Sequence, residues 1–168
     1  MSCSNQDFRC CNGNNCRCLC GNCTCARRKN AVNNICESVQ VIREGISCLS
    51  NGLNVIVNRN FCEGKEDIRL GIRLIKQALC KITKCLKFIR CDLDISELRR
   101  IRDGIIAILA GIQVICVGIK AICSGNRDDG ILVIRRGIQN ITDGLDGIIE
   151  GLGDLLCEEN VNSNNNSH

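Results

Sequence analysis

Proline, tryptophan and tyrosine are absent from this 168-residue chain, and its aromatic side chains are Phe8, Phe61 and Phe88 alone. Without proline nothing forces a helix to break, and a sandwich or barrel loses much of its usual turn punctuation. The scarcity of aromatics removes the stacking platforms on which single-stranded nucleic acids lie. Net charge is only +4, from 22 basic and 18 acidic residues, too mild to hold a phosphate backbone by charge, so no nucleic-acid partner is expected. The single histidine is His168, at the end of a polar tail, which leaves a histidine-dependent triad without its base. No phosphate-cradling glycine loop is present, and Glu44, Asp103, Asp143 and Glu150 fall on outer helix positions, so the expectation is a protein that is not an enzyme. Residues 1–29 contain no apolar core of the kind that drives Sec export, and the N-terminus reads as lacking a signal peptide.

What the chain does contain is cysteine, isoleucine and glycine. Seventeen cysteines, about one residue in ten, imply disulfides or metal. The odd count leaves at least one thiol unpaired, metal-bound or joined to another chain.

The stretch Ile95–Cys123 organises the rest. Leu98, Ile101, Ile105, Ile108, Ile112, Ile115, Ile119 and Ile122 alternate steps of three and four, the a/d stripe of a long helix. With Ile105 at a, Gly104, Gly111 and Gly118 recur at g. Three further segments keep the same pattern. Ile35 to Ile56 has Gly45 and Gly52 at g; Ile68 to Ile89 has Gly71, Ala78 and Cys85; Ile131 to Leu155 has Gly130, Gly137, Gly144 and Gly151.

The fold expected is therefore all-α: an antiparallel, up-down-up-down four-helix bundle with Ile/Leu heptad seams and Gly at g, preceded by a Cys-rich non-helical arm. The arm spans residues 1–29, the bundle 30–158 and a polar tail 159–168. Asn34 with Glu37, and Asp94 with Glu97, mark helix starts. Residues 58–67 read as a loop, and Gly125 suits the left-handed position after a helix. Each interior glycine costs about 1 kcal/mol relative to alanine, so roughly ten together cost on the order of a whole domain's net stability. Close approach of neighbouring helices, below the usual ~8–10 Å axial spacing, is the expected compensation.

The third helix is not ordinarily amphipathic. Between Gly104 and Cys123 its only charge is Lys120, and Ile106, Leu109, Val114, Cys116 and Val117 occupy positions outside the seam. A patch of this size calls for a cover. The cover expected is another subunit. A membrane span is not expected, because the uncharged run Ile105–Ile119 falls short of the ~20 residues that cross a bilayer.

The a and d positions are aliphatic, which argues against a copper-storage bundle lined with thiols. The helical cysteines instead take flanking and outward positions. By the expected topology Cys36, Cys91 and Cys157 gather near the root of the arm, with Cys62 and Cys123 at the opposite pole. With Cys3, Cys10 and Cys11 of the arm they form the candidate cross-linking set. Head-to-tail contacts of that kind build open filaments or lattices. A second chemistry stays open. Cys16, Cys18, Cys20, Cys23 and Cys25 resemble metallothionein spacing, in which dense thiolates hold Zn(II) or Cu(I). Otherwise no cofactor is expected.

The MSC opening, the cysteine-dense polar arm and the scattered helical thiols resemble cysteine-rich coat and exosporium proteins of spore-forming bacteria. The likeness lies in residues 1–29 and in cysteine usage, and the helical body departs from the β-rich members. It implies a self-assembling structural protein, with itself and other cysteine-rich coat proteins as partners. Such proteins are made without a signal peptide in the mother cell and cross-linked at the spore surface after its lysis. A cytoplasmic metal-sequestering protein is the alternative.

Overall fold

The computed structural model describes residues 24–163, and side chains within residues 27–153. Four helices account for nearly all of them: α1 (Thr24–Val57), α2 (Phe61–Ile89), α3 (Ile95–Cys123) and α4 (Arg127–Ser163). The described residues contain no strand, in keeping with the three-and-four spacing of the apolar residues.

The connections are short and locally determined. Asp94 accepts the Glu97 backbone N–H at 2.8 Å, and the Glu97 carboxylate accepts the Asp94 N–H at 2.7 Å, a complete capping box at the start of α3. At the other end Gly125 has φ +93°; its N–H donates to Ile122 O at 3.0 Å while Asn126 N–H donates to Ala121 O at 2.9 Å. That double closure satisfies carbonyls that a helix end leaves orphaned. Arg127 then donates to the last carbonyls of α1, Ile56 at 2.9 Å and Val57 at 2.8 Å, where the helix dipole favours a cation.

Three expected boundaries are corrected. The first helix begins at Thr24 rather than Asn34, so the last residues of the expected arm, 24–29, are helical. Asn34 is no cap, and its carbonyl instead accepts from the Ser38 hydroxyl at 2.6 Å. Residues 61–67 are the first turns of α2, not loop. Asn60 caps them by accepting from Glu63 N–H at 3.3 Å, which confines the connection to residues 58–60. Finally, α4 runs to Ser163, into the expected polar tail, with a break at Gly153 (φ +26°).

The helices pack as a bundle made of two close pairs, α1 with α2 and α3 with α4. The pairs join along α1 and α4, while α2 and α3 barely touch. Glycine builds both pairs. Gly45 lies against Gly71, and Gly52 against Gly64, so residue numbers rise on one helix as they fall on the other. In the second pair Gly104, Gly111 and Gly118 lie against Gly144, Gly137 and Gly130. Each glycine exposes its carbonyl oxygen to its partner's Cα and receives the isoleucine or leucine four residues beyond that partner. A Cβ at Gly137 would fall 2.7 Å from Gly111 O and 2.6 Å from Ile115 Cγ1. Ten glycines stand in this situation, and Gly151 meets Glu97 O and Ile101 in the same way without a partner glycine. All eleven are buried. Ser38 occupies the same column in α1 at 1% exposure. Its hydroxyl is satisfied within its own helix, the only way a polar group can sit there cheaply.

The isoleucine stripe divides unevenly as a result. Ile101, Ile108 and Ile115 of α3 are essentially inaccessible, whereas Leu98, Ile105 and Ile119 are half-buried and only Ile112 of their column is buried. The first set faces the glycines of α4. Of the second, Leu98 and Ile105 face the side where α2 and α3 stand apart.

Candidate assembly surface

The open side between α2 and α3 forms an apolar groove of about 650 Å³. Leu86 of α2 and Leu98, Ile101, Ile105 and Ile106 of α3 line it, and Lys87, Arg90 and Arg102 stand at its rim. The groove exists because the glycine columns draw α3 toward α4 and α2 toward α1, leaving no short side chains to close the fourth seam.

Beyond the groove, α3 presents its apolar flank. Ile106 is 56% exposed, Leu109 44% and Val117 57%. Cys116 is also exposed and Val114 is half-buried. Four of the five residues expected at an interface thus lie open on the single chain, with Leu132 of α4 and Ile95 exposed as well. Among the described residues α3 is the one helix long and apolar enough, by length and composition, to cross a membrane. Only 28% of its most apolar stretch is buried within the chain, so α3 is not a core helix wrapped by its neighbours.

The cysteines fall into three groups. Cys62, Cys80, Cys91, Cys116 and Cys123 are exposed, and Cys36 and Cys48 half-buried. Cys85 is buried, contrary to the expectation that the helical cysteines point outward. It continues the column of Gly64, Gly71 and Ala78 in α2, seven residues apart at each step. Burial raises its thiol pKa above the ordinary 9.0, with the nearby Lys81 charge opposing that rise. The structure also separates Cys36 from the pole where it was expected. With α1 starting at Thr24, Cys36 lies roughly 18 Å along the helix at ~1.5 Å per residue. Cys91 does lie in the turn after α2, while Cys62 opens α2 and Cys123 closes α3.

Cys3, Cys10, Cys11, Cys16, Cys18, Cys20 and Cys23 lie outside the described residues, as do the side chains of Cys25 and Cys157. Among the described residues no three His, Cys, Asp or Glu side chains gather closely enough to hold a metal ion.

Sequence reasoning missed Gly64 as a structural residue because it lay in the expected loop. The available signal was its place seven residues before Gly71. No family model, curated protein or solved structure matches this chain.

Proposed function

We propose that this chain is a non-catalytic, self-assembling structural protein. Its antiparallel, up-down-up-down bundle with heptad seams serves as a building block for a disulfide-cross-linked filament or lattice in a spore outer layer. The observation that carries this reading is the α3 flank, where Ile106, Leu109 and Val117 are exposed beside the Cys116 thiol. Apolar surface of that extent is stabilised by removal from water, and a second copy supplies an apolar surface of the same kind. Cysteines at both ends of the block, Cys62 and Cys123 at one and Cys91 at the other, then stand ready to lock contacts made first by packing. The reciprocal glycine pairs support the topology.

Sedimentation and negative-stain microscopy test the proposal. Full-length protein is expected to form extended assemblies in reductant at sufficient concentration, since disulfides should not be needed to start them. On oxidation the same assemblies should migrate as ladders on non-reducing gels. A variant carrying Ile106→Ser, Leu109→Ser and Val117→Ser should stay monomeric. A wild-type chain that sediments as a monomer under both conditions refutes the proposal.

The dense thiol run from Cys16 to Cys25 favours a second reading, in which the N-terminal segment binds Zn(II) or Cu(I) and the protein stores metal in the cytoplasm. Elemental analysis of protein purified under argon separates the two. Several metal equivalents in a monomer mark storage, and metal-free polymers mark a coat.

A further inference from the structure

Charge is segregated between two helices that never meet. From Arg69 to Arg90 the chain carries seven basic residues and no acidic one, whereas from Gly137 onward it carries six acidic residues and neither Lys nor Arg. The first run lies on α2 and its C-cap Arg90, and the second on α4. Arg73, Lys76, Lys84 and Lys87 are exposed, spaced so that they share one face of α2, with exposed Cys80 among them. Asp143, Asp146 and Glu150 are exposed on α4 at steps of three and four, hence also on one face.

Within one molecule these faces have no access to each other. The α2 helix packs on α1, while α4 packs on α3 and α1, and α2 and α4 make no contact. Two of the seven basic residues are paired within the chain, Arg69 with Glu66 and Lys81 with Glu37. The other ion pairs among the described residues, Arg28 with Asp92 and Arg102 with Asp103, involve neither Arg73, Lys76, Lys84 and Lys87 nor the α4 carboxylates. Asp143 accepts a neutral hydrogen bond from Gln139 at 2.7 Å, and Asp146 and Glu150 make no ion pair among the described residues. A single copy therefore keeps a cationic face and an anionic face that it cannot neutralise itself.

We infer that the cationic face of α2 in one copy docks on the anionic face of α4 in the next. This contact presupposes the self-assembly proposed above and specifies where it occurs. The two surfaces differ, so the contact is heterologous. Each added copy presents a new α4 face and a new α2 face, and growth continues unless the rotation closes a ring. Opposite charge on a second copy speeds encounter and fixes register, while a wrong, like-charged approach is penalised. The apolar flank of α3 adds the burial that holds neighbouring copies together, so growth requires both the charge contact and the apolar one.

The test is a charge-swap pair in the full-length chain, kept in reductant. One variant carries Arg73→Glu, Lys84→Glu and Lys87→Glu; the other carries Asp143→Lys, Asp146→Lys and Glu150→Lys. Each alone brings like charges together and should raise the concentration needed for sedimentation at least about tenfold. Mixed one to one, each supplies the face the other lacks, and sedimentation should return. Circular dichroism establishes that both fold. Should either fail to, the neutral variants Arg73→Gln, Lys84→Gln, Lys87→Gln and Asp143→Asn, Asp146→Asn, Glu150→Gln replace them, and their assembly should lose the salt dependence of wild type. Alkylation adds a local readout, since Cys80 should become protected on assembly while Cys62 stays reactive.

Variants that assemble singly as well as wild type, or a mixture that fails to recover, overturn the α2–α4 contact while self-assembly stands. A wild-type chain that never assembles overturns both.

Discussion

Replacing Gly111 by alanine is the sharpest test of the helix packing. In isolation the change favours a helix by about 1 kcal/mol. In this structure the new Cβ would lie 2.6 Å from Gly137 O, 2.7 Å from Ile141 Cγ1 and 3.1 Å from Ile141 N. A comfortable carbon–oxygen approach is ~3.3–3.6 Å, so α3 and α4 must separate by roughly 0.7–1 Å. A gap of that size forfeits about a quarter to a half of each dispersion contact across it. A buried aliphatic side chain makes ~40–60 contacts of ~0.1–0.2 kcal/mol, of which we take about half to face the partner helix. The loss is then about 1–2 kcal/mol for each side chain affected. Ile115 and Ile141 both line this step, giving about 2–4 kcal/mol against a propensity gain of about 1. Gly111→Ala should destabilise by about 1–3 kcal/mol net, lowering Tm by about 2–12 °C in a chain of this size. Gly147 is the internal control. It also lies in a helix interior, but a Cβ there meets nothing closer than 3.7 Å, so Gly147→Ala should stabilise by about 0.5–1 kcal/mol. Urea and thermal unfolding in reductant, with the assembly-blocking serine variant as background, give both values. If Gly111→Ala stabilises the protein as Gly147→Ala does, the glycine columns are not close-packing devices.

Three other outcomes follow from local features. Gly125→Ala meets no neighbour within 4 Å yet holds φ +93°, so it should cost about 1 kcal/mol through backbone strain alone, measurable by urea unfolding. The Asp94 carboxyl is held below its ordinary 3.8, chiefly by the Glu97 N–H and next by the Ser96 hydroxyl. Its stabilising effect is present above pH ~4 and lost as pH falls through the lowered value, so Asp94→Ala should destabilise at neutral pH and match wild type in strong acid. Cys85 behaves in the opposite sense. Its raised pKa makes the stability it contributes complete below pH 9.0 and progressively lost as pH rises above that. Cys85→Ala should flatten the alkaline limb of the unfolding curve, and in the wild type Cys85 should alkylate more slowly than exposed Cys62 and Cys123.

Much of the architecture was legible because it is written in repeats. Isoleucine at alternating three and four residue steps marked every helix, and Asp94 with Glu97 and Gly125 marked two of their ends. The missed boundaries have physical causes. The segment around Gly64 is polar and holds one glycine, which reads as a loop until Gly52 is seen to need a partner without a side chain. Residues 24–33 lack a continuous apolar stripe, so periodicity placed the start of α1 too late. The uneven burial of the α3 stripe was hidden for a different reason. An apolar residue announces that it seeks cover, but Ile101 and Ile105 make the same announcement, and only the docking of α4 decides which is covered first. For the candidate surface, the exposure of Ile106, Leu109, Cys116 and Val117 followed from the lack of charge on α3. The burial of Cys85 followed from its place in the small-residue column, a stronger determinant there than its being a thiol.

The uneven seams also set how a material made of such units would respond to pulling. Within each helix pair, backbone meets backbone at every paired glycine, and sliding is obstructed at each of those steps. Between the pairs there are the α1–α4 contact, a slight touch of α2 on α3 and one short turn. Load applied across the unit would be borne first by that thinner junction, letting the two stiff halves swing like leaves on a hinge and recoil before either half unravels.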